Sequence, residues 1–324
     1  MSNQELNQIA EQLRQSGKYR IIDKYQQPKG YNAASPTDRK LIGVFLDIES
    51  TGLSHTIDKL LELGMVKFEY TEDGRIFNLL EEFNGYQDPK IPIPEHITKL
   101  TGITDDMVKD HSIENSKVAE YLEDVDIIIS HNAQFDRAFF ETAFPDIAPK
   151  AWAWAWACSM RNIDWNNEDI SSFKLEYIAY RYNFFYEGHR AIIDCLAGIH
   201  VLAQNLLNSK QLVLKHLLDN ALQLEFRLWA KDAPYDCKDL LKARSYRWGT
   251  HPIHNFKAWY VEILENNVEE EINYLRSSIY GRTIDIPIDI LDAFSKYSIN
   301  NQLLEKEDKY KDKLTWVQTL CKVQ

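Results

Sequence analysis

The run LIGVFLDIESTGL, residues 41–53, constrains this chain more than any other stretch. Leu41 to Leu46 is continuously apolar, the pattern of a strand buried on both faces. Successive strand side chains point to opposite faces, so Asp47 and Glu49 share one face where the strand emerges. Two neighbouring carboxylates in such a place repel each other and lose hydration. No Lys or Arg lies within the run to offset them, and a divalent metal is the natural compensating charge. Taken alone, the pair also reads as a turn with solvated acids.

Two further segments bear on that choice. HNAQFD places Asp136 just after the apolar strand VDIIIS. YEGHRAIIDCLAGIHVL places His189 and Asp194 at the front of an apolar helix. The order Asp-x-Glu, Asp, His-x4-Asp resembles the DEDDh 3′→5′ exonucleases, the group that contains the proofreading epsilon subunit of bacterial DNA polymerase III and ribonuclease T. The resemblance covers residues 40–208 and includes the connecting segments DKLLELGMVKF and IPIPEHITKLTGIT. Ser50 stands where many members have Thr, and the hydroxyl is retained.

The resemblance implies an α/β fold of the ribonuclease H-like kind, a mixed sheet covered by helices. It implies hydrolysis of phosphodiester bonds at the 3′ ends of single-stranded or frayed DNA, with release of nucleoside 5′-monophosphates. The implied cofactor is Mg²⁺, two ions, with Mn²⁺ able to substitute. Asp47 would bridge both ions, Glu49 and Asp194 would complete the water-activating site, and Asp136 would hold the second ion through water. His189 would be the general base, because an imidazole titrates near working pH. Backbone groups at Ser50, Thr51 and Gly52 would meet the terminal nucleotide, with Gly52 allowing close approach. Leu53 would wedge against the terminal base. Asn132 reads equally as a nucleotide contact or a helix cap, and Phe135 as a stacking ring or core. His131 reads as a strand-end hydrogen bond. The competing reading within the class is a 3′→5′ exoribonuclease, like ribonuclease T or oligoribonuclease. A noncatalytic nucleic-acid-binding or polymerase-accessory module is the reading from another class.

Length and composition agree. With 324 residues and 44% hydrophobic content, a domain of ordinary size plus a smaller one can each bury a core. The polar start MSNQELNQIAEQLRQ lacks the apolar centre of a signal peptide, and no membrane-length apolar run exists. Cys158, Cys195, Cys237 and Cys321 have no metal-ligand spacing, so reduced thiols and a cytoplasmic location are expected, with Cys195 packed on a helix. The net charge of −12 argues against broad duplex binding but does not exclude a nuclease, since bound cations would offset the site's acids.

Four regions are expected: a helical extension over 1–39, the exonuclease domain over 40–210, a small α+β module over 211–290, and a charged tail over 291–324. In the first, Leu6, Ile9, Ala10 and Leu13 have helical spacing; packing on the main domain is the preferred reading and a partner-binding arm the alternative. AWAWAWACSM alternates Trp152, Trp154 and Trp156 with alanine, as a packed strand or a base-stacking platform, and packing is the preferred reading. Between Glu225 and Tyr260, Arg227, Lys231, Lys238, Lys242, Arg244, Arg247 and Lys257 face four acids, and Trp229, Tyr246, Trp248, Trp259 and Tyr260 interleave with them. Bases beside aromatics suit single-stranded nucleic acid. A small module also needs its large rings inside, and that reading is slightly preferred. The KAR-x-YRW…KAWY pattern recurs at the tail of many such exonucleases. The last segment, with Trp316, Val317 and Leu320, reads as a solvated helix with an apolar foot, a disordered tail or a docking peptide. Expected partners are 3′ ends of single-stranded DNA or RNA and a polymerase or repair protein, with no membrane.

Overall fold

The computed structural model describes residues 1–35, 37–147 and 154–299. In chain order the elements begin with α1 (Asn3–Gln15), β1 (Asp23–Lys24), β2 (Leu41–Ser50), β3 (Leu60–Tyr70) and β4 (Ile76–Tyr86). Next come α2 (Glu95–Thr101), α3 (Asp105–Val108), α4 (Asn115–Tyr121), β5 (Ile127–Ser130), α5 (Ala133–Ala143) and β6 (Ala155–Cys158). Then follow α6 (Leu175–Arg181), β7 (Phe184–Phe185), α7 (Ala191–Leu202), α8 (Val213–Ala221) and β8 (Glu225–Ala230). The described chain closes with α9 (Lys238–Ala243), β9 (Arg247–Thr250), β10 (Lys257–Leu264), α10 (Val268–Tyr274) and β11 (Ile288–Leu291). Two compact units result, Met1–Asp136 with Ala157–Leu218 and Arg137–Trp156 with Asp219–Gln324.

The first unit is built on a five-stranded mixed sheet in the order β4-β3-β2-β5-β6. β2 runs antiparallel to β3 and parallel to β5, so it is an interior strand, and Val44, Phe45 and Leu46 are fully buried. The Asp73-Gly74 turn joins β3 to β4 as a hairpin, with Gly74 at φ 85 in the left-handed region that glycine enters without strain. This is the ribonuclease H-like mixed sheet covered by helices that the resemblance implies.

α7 packs across β2, β3 and β4, and two glycines permit it. Gly198 leaves room for the Phe45 ring. Gly64, the cross-strand partner of Asp47, meets the start of α7 backbone to backbone. A Cβ there would stand 2.6 Å from the Ala191 carbonyl carbon and the Ile192 amide. Gly64→Ala is therefore expected to lower stability by about 1–3 kcal/mol, through overpacking against atoms that cannot rotate away. Urea unfolding measures it, and an unchanged midpoint would mean that α7 can lift from the sheet at no cost.

α1 forms where its periodicity predicts, closed by a reciprocal Ser2–Glu5 capping box. Its apolar side does not pack as expected: Leu6 and Ile9 remain 46% and 44% exposed, and Ala10 and Leu13 are partly covered. Periodicity specifies an apolar face without specifying what lies against it. Trp154 and Trp156 are buried, in accord with packing rather than stacking on bases. Trp152 and the tail residues Trp316, Val317 and Leu320 lie outside the described residues. Cys158, Cys195 and Cys237 are free thiols, and Cys195 on α7 donates its S–H to the Gly64 carbonyl. Among the described residues no helix is long and apolar enough to cross a membrane.

The second unit is a small α+β module. Its antiparallel sheet has the order β11-β8-β10-β9. Phe226, Leu228 and Ala230 of β8 and Val261 of β10 bury one face under Leu241, Val268 and Ile272. On the other face Arg227 and Arg247 both pair with Glu262, and the Trp229 indole donates to Asp289. Ordered packing continues past Leu291. Lys296 is buried, paired with Glu225, and donates to the carbonyls of Ala221 and Gln223.

Candidate active site

β2 carries Asp47 and Glu49 out of the core on one face, and its pairing with β3 shifts register between Glu49 and Ser50. Such a bulge bends the strand and re-aims the side chains beside it. Asp194 lies in the first turn of α7, which the close approach at Gly64 brings onto β2. One carboxylate oxygen each from Asp47, Glu49 and Asp194 lie within 4.8 Å of one another. Asp194 is fixed from two sides. The Tyr186 hydroxyl donates to its Oδ1 at 3.0 Å and the Arg190 amide to its Oδ2 at 3.1 Å.

The electrostatics are those of negative charge without its counterion. Burial, then the charges of Asp136, Asp194, Glu49 and Glu62, hold the Asp47 carboxyl well above the usual range. Burial, with Asp194 and Glu62 adding to it, pushes Glu49 up to about 8. Asp194 is pushed up to about 6, chiefly by burial, against the lowering effect of its bond from Tyr186. A divalent cation held by these carboxylates would supply the missing charge, and an all-oxygen donor set without sulfur or imidazole suits a hard ion.

Asp136 is placed differently from the other three. It is buried in the first turn of α5, and its Oδ1 accepts from the Ile48 amide at 3.2 Å. The β2–β5 pairing register extends from Gly43 to Phe45 on β2. Beyond it, Ser130 donates its hydroxyl to the Leu46 carbonyl and Asp136 takes the Ile48 amide. Asp136 thus closes the strand's open backbone beside Asp47, and burial raises its own pKa.

His189 has φ 64, a left-handed conformation unusual outside glycine. Its ring is 43% exposed, and Nε2 lies 3.4 Å from the Glu176 carboxylate at the start of α6. In the loop after β2, the side chains of Ser50 and Thr51 are turned inward. Ser50 donates to the Gly52 carbonyl, and Thr51 accepts from the Lys59 amide. The glycine at 52 has a reason inside the chain, since a Cβ there would stand 2.6 Å from the Asp58 carboxylate. Leu53 projects from this loop 89% exposed. The Asn132 carbonyl accepts from the Phe135 and Asp136 amides as α5 begins; its side chain is exposed, and Phe135 is half-buried. His131 is locked at the strand end. Its Nε2–H donates to the Phe173 carbonyl and its Nδ1 accepts from Ser159, while burial lowers its pKa to about 4.

Two residues that sequence reasoning passed over support the cluster. Glu62 on β3 is fully buried opposite Glu49, bound by the Arg190 guanidinium at 3.0 and 3.2 Å and by the Ala191 amide at 3.2 Å. Arg190 also donates to the Tyr86 hydroxyl. The available signal was a lone acid within the apolar strand LLELGMV, a place where charges are rarely found unpaired.

An acid pair on an interior strand, facing an acid at the front of a helix, is an arrangement able to hold a divalent cation. Residues 44–202 match the Exonuclease family model, RNase_T, so this segment is similar to the exonuclease domains of that family. The DNA polymerase III PolC-type protein of Caldanaerobacter subterraneus subsp. tengcongensis is 28% identical over 201 residues, 59% of this chain and 13% of that protein. Its Bacillus subtilis counterpart is 34% identical over 119 residues, 36% of this chain and 8% of that protein. The chain therefore spans only a small part of the length of these curated relatives. Among solved structures, exonuclease I is 16% identical with a TM-score of 0.46, covering 86% of this chain and 72% of that one. Exonuclease X in complex with 5′-overhanging duplex DNA is 19% identical with a TM-score of 0.41, covering 55% and 99%.

Proposed function

We propose that the chain is a 3′→5′ exonuclease that hydrolyses the terminal phosphodiester of single-stranded or frayed DNA in the presence of two Mg²⁺ ions. The observation that carries this reading is the convergence of Asp47, Glu49 and Asp194 within an exonuclease-family segment. Divalent cations held by Asp47, Glu49 and Asp194, with Asp136 beside them, would lower the pKa of the attacking water and offset charge on the phosphate. His189 accepts the proton of that water, and its exposed ring on a loop beside α7 can reach substrate. Tyr186 and the Arg190 amide hold Asp194 to one orientation. Leu53 presses on the terminal base, which suits an apolar side chain that is almost fully exposed in the free protein. Water oxygen bonds to phosphorus, the bond to the 3′ oxygen breaks, and that oxygen takes a proton from solvent water to become the new 3′ hydroxyl. The released nucleotide carries a 5′-phosphate.

The test is a time course on matched DNA and RNA oligonucleotides labelled at the 5′ or the 3′ end, with Mg²⁺, Mn²⁺ or chelator. The expected result is a ladder of 5′-labelled DNA shortened one nucleotide at a time, with the 3′ label released first as mononucleotide. Chelator should abolish it. Faster loss of RNA would transfer the reading to an exoribonuclease, and persistence of both polymers would overturn it. Recruitment by a polymerase or repair protein is the corresponding proposal for partners.

A further inference from the structure

The cations between Glu225 and Tyr260 divide into two groups. The arginines there are occupied internally: Arg227 and Arg247 by Glu262, and Arg244 by Glu271. Lys238, Lys242 and Lys257 make no ion pair among the described residues, and Lys238 and Lys242 lie beside rings instead. Tyr235, 77% exposed, has the Lys238 ammonium 4.1 Å from its ring centre. Lys242 stands one helical turn further along α9, on the same side as Lys238, with its ammonium 5.8 Å from the Trp259 ring. Trp259 pairs across the strands with Trp248, whose ring is 5.5 Å away and tilted at 70°. Trp248 is 58% exposed. Lys257, two residues before Trp259 on β10, shares that sheet face and is exposed.

We propose that this strip, Tyr235–Lys238–Lys242–Trp259–Trp248–Lys257, binds single-stranded nucleic acid. A large indole left in water on a module that buries the rings of Trp229 and Tyr246 is not explained by the core. It offers a flat surface to a splayed base, and Tyr235 offers a second. Ammonium groups and rings lie side by side along the strip, and an extended single strand likewise offers both phosphates and bases. Lysine suits this task because its charge sits on a flexible stem and meets phosphate as a point charge without a fixed fork. Asp239, which borders the row on α9, leaves the strip with an excess of positive charge. A duplex hides its base faces in the stack and could not use the rings.

The experiment uses the full chain carrying Asp47→Ala, in chelator, so that binding is read without hydrolysis and apart from the proposed activity. Anisotropy of fluorescein-labelled oligo(dT) and oligo(rU) is followed against salt. Trp248→Ala should weaken binding at least about fivefold, and Trp248→Phe should restore most of it. Combining Lys238→Ala, Lys242→Ala and Lys257→Ala should reduce the slope of log affinity on log salt by about 2. All of these side chains except Lys238 are exposed, so circular dichroism should be unchanged. The proposal fails if the parent chain does not bind oligo(dT) or oligo(rU), or if these variants bind with its affinity and salt slope. It also fails if poly-glutamate displaces the oligonucleotide as effectively as unlabelled oligo(dT).

Discussion

Asp47→Asn is expected to lower exonuclease turnover by about 10³-fold or more and, in the same protein freed of metal, to raise the unfolding temperature. The first effect follows from the position of Asp47, whose oxygen meets those of both Glu49 and Asp194. Removing its charge would cost several kcal/mol of transition-state stabilisation, and each 1.4 kcal/mol is about tenfold in rate. The second effect has the opposite sign because the same carboxylate is a source of repulsion without a cation. Relieving one such functional charge is worth about 1 kcal/mol, or roughly 2–4 °C.

The pH dependence follows from the direction of the shifts. Asp47, Glu49 and Asp194 all hold their protons more tightly in the folded protein than at their ordinary values, Glu49 up to about 8 and Asp194 up to about 6. Across that interval the folded state binds more protons than the unfolded one, so stability falls as pH rises. Their contribution is intact below the ordinary carboxylate range and is lost progressively toward pH 8. In chelator, the gap between Asp47→Asn and wild type should therefore widen with pH, and Mg²⁺ or Mn²⁺ should close it by stabilising the wild type alone. Scanning calorimetry at several pH values measures both. A wild type as stable as the variant throughout would show that the acids do not strain the fold.

Much of this site could be read before any coordinates. Asp47 and Glu49 share a face because strands alternate, and the apolar run before them could belong only to a strand or segment buried inside the molecule. Asp194 was legible as the acid opening an apolar helix. What the sequence withheld depends on pairings between distant segments. That Asp136 caps the Ile48 amide depends on where the β2–β5 pairing stops. The Glu62–Arg190 bond joins residues 128 apart, and neither side chain alone announces it. The Asp58 carboxylate beside Gly52 is a second reason for glycine there, and loop curvature that brings it close cannot be read from one glycine. The same holds for the small module. Seven cations in one window looked alike, and only the fold separates arginines satisfied by Glu262 and Glu271 from Lys238 and Lys242, which are set beside rings.

His189→Gln is expected to lower kcat by about 10²–10⁴-fold while leaving the metal-induced rise in unfolding temperature intact. The two readouts separate proton transfer from metal holding, since Asp47, Glu49 and Asp194 keep their mutual geometry when His189 changes. The backbone supports a functional reason for this residue. A left-handed φ at a non-glycine position costs free energy, and such residues concentrate where a side chain must be presented in one place. The half-exposed ring is held by Glu176 from a different helix, so its resting position is defined without being locked in the core. Glu176→Gln should therefore reduce kcat much less than His189→Gln, because it removes a holder of the imidazole and not the base itself. In pre-steady-state turnover of a labelled oligonucleotide, the His189→Gln defect should appear in the hydrolytic step. If that variant cleaves at the wild-type rate, the imidazole takes no part in the chemistry, and its strained backbone belongs to the turn that starts α7.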